Sequence, residues 1–176
     1  MKQIKQIKQI KRDFMDDLMN EECLLFSKLR ECDVDDALRI ETESFAKPWP
    51  RHAFEEAVDK KDLDFFTVLD ENDKVIAQTA VYYIAGEEGD IMNVAVDKKY
   101  RNKGICEKLI AHIISECHNI GIDELTLEVR AGNDAAVHVY EKNGFVTEGV
   151  RKSYYSEPTE DALIMWRHGA IESKEE

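Results

Sequence analysis

"MNVAVDKKYRNKGICEKLIAHIISEC" occupies residues 92–117, and this stretch decides the fold. Its first five residues form an apolar run that predicts a strand, and a basic loop at residues 98–103 follows. Gly104 then begins a predicted helix with four apolar residues on one face: Ile105, Leu109, Ile113 and Cys117. The free N–H groups and the dipole of a helix start attract anions, so the segment predicts a phosphate-binding turn. The alternative is an ordinary connection between a strand and a helix, with a solvated basic loop.

The rest of the chain predicts a sheet with helices on both faces. Apolar runs bounded by turn residues predict strands at residues 24–30, 64–69, 74–84, 124–130, 145–150 and 162–166. Capping residues and helical spacing predict helices at residues 33–44, 51–60 and 133–143. Residues 152–159, which contain Tyr154 and Tyr155, are predicted to be a loop. The order β-α-α-β-β-β-α-β-α-β-β indicates an α/β or α+β domain and argues against a Rossmann fold, in which strands and helices alternate throughout.

Residues 1–22 are predicted to be an extension that precedes the folded domain, residues 23–176. A Lys-Gln-Ile unit repeats along the first ten residues. Five apolar residues recur at helical spacing: Ile4, Ile7, Ile10, Phe14 and Leu18. A basic amphipathic helix of this kind can bind a membrane surface or a partner. The alternative is a frayed or packed terminal helix, and we expect the extension to be helical or disordered.

The composition limits the partners that the protein can bind. The length of 176 residues suggests one domain. The net charge of −13 argues against nonspecific binding of nucleic acid, which requires a cationic surface. A basic peptide or a polyamine would be attracted by this charge. The alternative is a charge that serves solubility alone.

The cysteines and the apolar runs of the sequence indicate the cellular compartment of the protein. The four cysteines form no Cys-x-x-Cys pair, and the five histidines form no zinc-like grouping with them. No apolar run approaches the length of a membrane span, and the N-terminus lacks the apolar region of a secretory signal. We therefore expect a cytoplasmic protein with no metal and no stable membrane insertion, and either a monomer or a weak dimer.

Two side chains that follow the phosphate-binding turn are candidates for proton transfer. Glu128 alternates with Leu127 and Val129 on its predicted strand, so its side chain points to the face of the sheet opposite to these apolar side chains. A carboxylate in this position can act as a general base, and the alternative is a structural Glu beside Arg130. Tyr140 shares a predicted helix face with Ala136 and Val137. It can act as a general acid, or it can be a core tyrosine with a satisfied hydroxyl.

These residues carry a resemblance to a known family. Arg101-x-x-Gly104-x-Cys106 is similar to the pyrophosphate-binding loop of the GNAT N-acetyltransferases, Gln/Arg-x-x-Gly-x-Gly/Ala. The string Leu127-Glu128-Val129-Arg130-x-x-Asn133-x-x-Ala136-x-x-x-Tyr140-x-x-x-Gly144-Phe145 is very similar to the RimI type, the ribosomal-protein alanine N-acetyltransferases. Two further segments resemble substrate-side loops of that group: Ile40-Glu41 with Pro48-Trp49, and residues 151–165. The resemblance covers residues 24–167.

The resemblance implies both a fold and a reaction. The implied fold is the GNAT fold, a mixed, mostly antiparallel, twisted sheet of seven strands with four helices on both faces. The implied reaction transfers an acetyl group directly from acetyl-CoA to the N-terminal α-amine of a ribosomal protein, in a ternary complex that releases CoA. Two alternatives stay open: a GNAT enzyme that acetylates a polyamine, another small amine or a lysine side chain, and a CoA-binding protein without turnover.

The resemblance also implies a role for individual residues. Glu128 matches the general base of the family, and Tyr140 matches its general acid. The cofactor would contact the backbone of Val94, Ala95 and Val96, the N–H groups of Arg101, Asn102, Lys103, Gly104, Ile105 and Cys106, and the side chains of Asn133 and Tyr140. The acceptor substrate would contact Glu41, Pro48, Trp49, Tyr154 and Tyr155.

Two positions depart from the family pattern. Cys106 stands where the family has Gly or Ala, at the start of a predicted helix. A thiol at a helix N-terminus tends to have a lowered pKa, so a mixed disulfide between Cys106 and CoA is one hypothesis. Pro50 stands where the RimI group commonly has Ser, which weakens any transfer of detailed peptide specificity.

Overall fold

The computed structural model describes residues 24–84 and 87–169, so the predicted extension at residues 1–22 lies outside the described residues. The strands are β1 (Leu25–Lys28), β2 (Leu63–Leu69), β3 (Val75–Ile84), β4 (Glu88–Val96), β5 (Glu124–Arg130), β6 (Val146–Ser156) and β7 (Thr159–Arg167). The helices are α1 (Val34–Ser44), α2 (Arg51–Ala57), α3 (Ile105–Asn119) and α4 (Asp134–Lys142). The order of strands and helices agrees with the order predicted from the sequence.

The strands form one seven-stranded sheet in the order β1-β2-β3-β4-β5-β7-β6. β4 and β5 pair in parallel, and every other pair of neighbours is antiparallel. A parallel pair needs a crossover connection, which α3 supplies between β4 and β5. The mixed, mostly antiparallel sheet predicted from the sequence is confirmed.

Helices cover both faces of the sheet, as predicted. The four apolar residues of the α3 stripe are each at most 2% exposed: Ile105, Leu109, Ile113 and Cys117. Along β2, Phe66 belongs to the apolar cluster that contains this stripe, whereas its neighbour Phe65 packs with Phe54 of α2 on the other face. Successive strand residues point to opposite faces, so these contacts separate the two layers of helices.

β4 contains a β-bulge at the point where its pairing with β5 ends. β3 and β4 pair through Thr79 with Val94 and through Val81 with Ile91, so Met92 and Asn93 together lie opposite one residue of β3. The parallel ladder between β4 and β5 ends at this same point, with Ile91 opposite Leu127. Beyond this point β4 and β5 no longer pair with each other, which leaves a gap between their carboxyl ends, called the cleft below.

The prediction of a loop at residues 152–159 is wrong. β6 continues through Tyr154 and Tyr155 to Ser156, and a tight turn at Glu157 and Pro158 leads into β7. A register shift between Arg151 and Tyr155 interrupts the ladder, and most of β6 is exposed. Strands of this kind lack the alternation of apolar and polar residues that predicts a half-buried strand.

Several boundaries also differ from the prediction. β1 and α2 are shorter than residues 24–30 and 51–60, and β4 begins at Glu88 rather than at residue 92. In the part of the chain that the structure describes, no helix has the length and apolarity needed to cross a membrane.

His168 follows β7 and ties together the ends of three strands. Its Nε2 atom lies 2.8 Å from Oε1 of Glu148 on β6, and its Nδ1 atom contacts Glu124 at the start of β5. Its ring stacks on Trp166 with the ring centroids 5.8 Å apart. Hydrogen bonds to Glu148 and Glu124 raise the pKa of His168 above its ordinary value of 6.5.

The raised pKa of His168 predicts a pH-dependent stability. Its contribution is fully present below the unfolded-state pKa of about 6.5 and is lost as the pH rises through the folded-state pKa. The loss of unfolding free energy caused by His168→Gln should therefore be larger at about pH 6 than at about pH 9, measured by urea denaturation. His138→Gln, on the exposed surface of α4, is the matched control. An equal loss at both pH values would contradict the prediction.

Candidate active site

The candidate site lies in the cleft between the carboxyl ends of β4 and β5. On one side of the last part of β4, Val94 pairs with Thr79 and Val96 pairs with Ala77 of β3. On the other side, β4 has no ladder pairing with β5 after Ile91. The backbone of residues 94–96 therefore faces the cleft with hydrogen-bonding groups that a ligand can use.

The loop after β4 is held by its own side chains. Asp97 accepts a hydrogen bond from the Lys99 N–H at 2.9 Å and forms an ion pair with Arg39 of α1 at 2.8 Å. The hydroxyl of Tyr100 donates to Asp70 Oδ2 at 2.9 Å. The Nε group of Arg101 donates to the carbonyl of Val96 at 2.9 Å, which folds the loop back onto the end of β4.

The turn between this loop and α3 fits a pyrophosphate. Asn102 and Gly104 both adopt positive φ angles, 62° and 74°. Such left-handed residues within a turn point successive N–H groups toward one concave surface. The first N–H bond of α3 runs from Lys108 to the carbonyl of Gly104, so the N–H groups before Lys108 precede the helical ladder. A Cβ added at Gly104 would meet no atom within 4 Å, so space is open beside the turn.

Glu128 lies where the pairing of β4 with β5 has just ended. Its side chain is 27% exposed, and the Arg151 guanidinium donates to its Oε1 atom at 2.6 Å. A hydrogen bond to Glu128 raises the pKa of Tyr154, whose ring lies 4.2 Å from the Arg151 guanidinium. Two side chains of β6 thus orient the candidate base.

A second carboxylate makes this part of the cleft acidic. Asp90 lies on β4 opposite Thr126 of β5, two residues before the bulge. Burial raises the pKa of Asp90, and the charges of Glu128 and Glu88 raise it further. An incoming cation would relieve this repulsion, so the acceptor side of the cleft favours a positively charged group.

Tyr140 is the candidate proton donor. It is 6% exposed, and its ring packs against Phe145 with the centroids 6.0 Å apart. Burial raises the pKa of Tyr140, and Cys106 and Tyr155 raise it further. The hydroxyl therefore keeps its proton at neutral pH, as a general acid must.

The structure corrects the expectation for Cys106. Burial raises the pKa of the Cys106 thiol to about 11, and the charge of Glu107 acts in the same direction. Desolvation by the surroundings is the main cause of this shift, so the thiol is protonated at neutral pH. The physical argument for a mixed disulfide with CoA is therefore wrong.

Glu41 and the Pro48-Trp49 segment lie beside the cleft, on the α1 side. Glu41 is 1% exposed, so its side chain has no surface left for a substrate. The prediction that Glu41 contacts the acceptor directly therefore does not fit the structure. The Oε1 atom of Glu41 instead accepts a hydrogen bond from the Trp49 N–H at 3.1 Å. The Trp49 ring packs edge-on against Phe54 and Phe65, while Pro48 is exposed.

The remaining predicted site residues lie along β6 and at the start of α4. Tyr155 stacks under the Arg130 guanidinium at 4.1 Å, and burial raises its pKa, with a further contribution from Glu128. Asn133 caps α4, because its side chain accepts the Ala136 N–H at 3.3 Å. The structure thus groups Tyr154 and Tyr155 around Glu128. The side-chain oxygen of Asn133 is used by the helix cap.

Sequence reasoning gives no individual role to three residues of this site: Arg151, Asp90 and Asn93. Arg151 belongs to a family motif, but the predicted strand ends at residue 150, so the sequence does not reveal its contact with Glu128 across β7. Asp90 is hidden because the predicted strand begins at residue 92. A strand pattern extended back to Glu88 would have placed the Asp90 carboxylate on the face that carries Glu128.

A family model described as "Acetyltransferase (GNAT) family" matches residues 34–145 of the chain. This range runs from the start of α1 to just after α4, and it includes Glu128 and the turn at residues 101–104, the candidate pyrophosphate turn. The chain belongs to the acetyltransferase (GNAT) family and is an N-acetyltransferase.

Within this family, the chain is similar to the ribosomal protein bS18-alanine N-acetyltransferases. It is 36% identical over 141 residues to that of Escherichia coli (strain K12), covering 79% of this chain and 93% of the relative. It is 33% identical over 141 residues to that of Salmonella typhimurium (strain LT2), with the same coverage of 79% and 93%. The crystal structure of the Escherichia coli ribosomal-protein-S18-alanine N-acetyltransferase matches with a TM-score of 0.77 and 30% identity, over 87% of this chain and 98% of that one. The resemblance found in the sequence is confirmed.

The high pKa of Cys106 predicts that its thiol reacts slowly. In a Cys23→Ser variant at neutral pH, iodoacetamide should modify the exposed Cys32 well before Cys106, because the thiolate is the reactive form. Mass spectrometry of tryptic peptides measures both rates. The buried Cys117 is an internal control, and denaturation should make all three thiols reactive. Modification of Cys106 as fast as Cys32 in the folded protein would contradict the prediction.

Proposed function

We propose that this protein acetylates the N-terminal α-amine of a protein, specifically a ribosomal protein, with acetyl-CoA as donor. The observation that carries the proposal is the cleft after Ile91, which brings an oriented carboxylate, Glu128, beside the end of β4 and the pyrophosphate turn. The similarity to ribosomal protein bS18-alanine N-acetyltransferases supports the choice of acceptor. A cytoplasmic setting and a monomer or weak dimer stay predictions.

The donor side of the cleft would be built mainly from backbone. Acetyl-CoA supplies an acetyl group that is activated as a thioester. The backbone of Val94, Ala95 and Val96 would hold the pantetheine arm and polarise the carbonyl that reacts. The N–H groups of residues 101–106 would bind the pyrophosphate, with Gly104 allowing close approach. Asn133 would contribute its amide nitrogen, since its oxygen caps α4.

Glu128 would act as the general base. Arg151 and Tyr154 orient its carboxylate, and the 27% exposure of its side chain leaves it open to the acceptor or to an intervening water. The α-amine enters as an ammonium ion and must lose a proton before it can attack. Glu128 would accept that proton, directly or through water.

Tyr140 would act as the general acid on the opposite side of the reaction. A phenol is already protonated at neutral pH, and burial raises its pKa further. The departing thiolate of CoA needs a proton, and a tyrosine with a raised pKa retains one to give. Glu128 and Tyr140 thus divide the two proton transfers between an oriented carboxylate and a buried phenol.

The acceptor would be a basic peptide held on the acidic side of the cleft. Asp90 and Glu128 supply negative charge close to the reacting amine, and the net charge of −13 attracts a basic chain over a longer range. The exposed Pro48 and the Tyr154-Tyr155 pair would line the path of the peptide on either side.

The acceptor class is tested by measuring CoA release with two sets of acceptors. Peptides with an N-terminal Ala, Ser, Met or Gly, each followed by basic residues, are compared with spermidine and spermine. We expect turnover of the peptides, and mass spectrometry should place the acetyl group on the α-amine. Turnover of polyamines with no peptide acetylation would overturn the proposal.

Removing the candidate base should reduce turnover without affecting the donor. Glu128→Gln should lower kcat by roughly 10²–10⁴-fold, the range typical of general-base catalysis. Acetyl-CoA affinity, measured by isothermal titration calorimetry, should stay unchanged. Glu141→Gln, on the exposed surface of α4, controls for the loss of one carboxylate. Undiminished acetyl transfer by the Glu128→Gln variant would exclude Glu128 as the base.

Removing the candidate acid isolates the second proton transfer. Tyr140→Phe keeps the ring contact with Phe145 and deletes only the hydroxyl, so the fold should be retained. We expect kcat to fall by roughly 10²-fold or more, with the KM for the peptide little changed. Stopped-flow measurement of CoA release in a single turnover separates the chemical step from product release. A wild-type rate in that assay would show that Tyr140 has only a packing role.

A further inference from the structure

Glu41 is a carboxylate with an unusual place in this fold. It lies on the inner face of α1, where it is 1% exposed, between the sheet and the segment that carries Pro48 and Trp49. Burial raises the pKa of Glu41, and the hydrogen bonds that it accepts from Trp49, Gln78 and Asn93 only partly oppose this effect. Among the described residues, no cation forms an ion pair with it.

Three hydrogen bonds link Glu41 to three separate parts of the chain. Its Oε1 atom accepts the Trp49 N–H at 3.1 Å and the Asn93 Nδ2 group at 2.8 Å. Its Oε2 atom accepts the Gln78 Nε2 group at 3.0 Å. One carboxyl group therefore joins α1, the connection between α1 and α2, β3, and the bulge of β4.

The partners of Glu41 belong to the two features that shape the acceptor side. Asn93 is one of the two residues that form the bulge beside the cleft. Trp49 ends the Pro48-Trp49 segment, and Lys47 just before it donates to Ser156 Oγ at 3.1 Å, at the end of the β6 strand that carries Tyr154 and Tyr155. A change at Glu41 thus acts directly on the Trp49 backbone and on the bulge, and it reaches β6 only through the exposed contact of Lys47. In the described chain, no hydrogen bond joins its side chain to residues 101–104.

The amide side chains around Glu41 leave two buried hydrogen-bond acceptors unused. Gln78 Oε1 and Asn93 Oδ1 are buried and accept no hydrogen bond. An amide side chain can rotate by half a turn and exchange its oxygen for its nitrogen at little steric cost. A neutral donor at position 41 could therefore use the Gln78 oxygen that now has no partner.

We propose that Glu41 is a positioning residue that fixes the Trp49 backbone to the β4 bulge and thereby sets the affinity for the acceptor peptide. This inference rests on the proposed function, because it assumes that the acceptor peptide binds along the segment that Glu41 fixes. Glu41 takes no part in proton transfer, since its side chain is enclosed and touches neither the cleft surface nor Glu128. Its effect should appear in acceptor binding and should leave acetyl-CoA binding intact.

The test compares three full-length variants with the wild-type protein. Glu41→Ala should raise the KM for the acceptor peptide by about tenfold or more, the effect of losing a hydrogen bond to a buried carboxyl group. Its acetyl-CoA affinity, measured by calorimetry, should stay within about twofold. Glu41→Gln should be close to wild type, because the new amide keeps an acceptor for Trp49 and can donate to the rotated Gln78 amide. Glu43→Gln, exposed on the same helix, is the matched control.

Hydrogen exchange of the Trp49 amide measures the positioning directly and needs no acceptor. In the wild-type protein this amide should exchange more slowly than that of Lys47, for which the described chain offers no acceptor. Glu41→Ala should remove the difference and Glu41→Gln should preserve it. If Glu41→Ala does not fold, the wild-type and Glu41→Gln measurements still decide, and equal exchange at Trp49 and Lys47 would overturn the proposal.

Failure of this inference is distinguishable from failure of the proposed function. A protein that turns over polyamines but no peptide refutes the proposed function, whereas the Trp49 exchange data still test the hydrogen bonds of Glu41. A Glu41→Gln variant as impaired as Glu41→Ala in a folded, acetyl-CoA-binding protein would show that the charge is needed, which overturns the positioning role. An unchanged peptide KM in folded Glu41→Ala would overturn it as well.

Discussion

The site depends on the point at which two parallel strands stop pairing. The extra residue in β4 at Met92 and Asn93 shifts the register against β3, and the ladder with β5 ends immediately before it. Hydrogen-bonding groups within a sheet are normally paired, and leaving them unpaired is costly unless water or a ligand replaces the missing strand. The cleft is therefore both a gap in the sheet and a binding surface. Since the pyrophosphate turn follows β4 and Glu128 lies on β5, the same gap brings together the donor side and the candidate base.

The titratable groups around this cleft differ in burial, and their proposed roles differ accordingly. Tyr140 is buried and Cys106 is half-buried; burial raises the pKa values of both, so both hold their protons at neutral pH. Glu128 is more exposed, and its ion pair with Arg151 fixes the orientation of its carboxylate. Asp90 lies half-buried beside Glu128 and has no such partner among the described residues, so its charge is better satisfied when a cation enters. In the proposed reaction, the departing thiolate would then meet Tyr140 and the arriving ammonium group would meet Glu128 and Asp90.

The sequence predicts those parts of the molecule that depend on local periodicity and capping. The α3 stripe, the Asn133 cap and the order of strands and helices along the chain follow from residues close together in the chain, and the structure agrees with them. The bulge could not be predicted, because it exists only as a mismatch of register between β3 and β4. The strand through Tyr154 was missed because an edge strand exposed along most of its length has no alternating pattern. Glu41 shows a different limit of sequence analysis. Helical spacing places Glu41 on the buried face of α1. Its hydrogen-bond partners are distant in the chain, so only the structure reveals the cluster that it forms with Trp49, Gln78 and Asn93.

The two proposed walls of the acceptor path come from opposite ends of the domain, so their spacing needs a physical link. The contact of Lys47 with Ser156 is exposed, and such contacts contribute little to stability in water. The bonds of Glu41 are enclosed, so each of them is costly to lose. A groove held mainly from its α1 side can keep the bulge and the Trp49 backbone fixed while the β6 hairpin adjusts to the peptide. Acceptor selectivity would then depend more on Asp90, Glu128 and the fixed wall than on the tyrosines of β6.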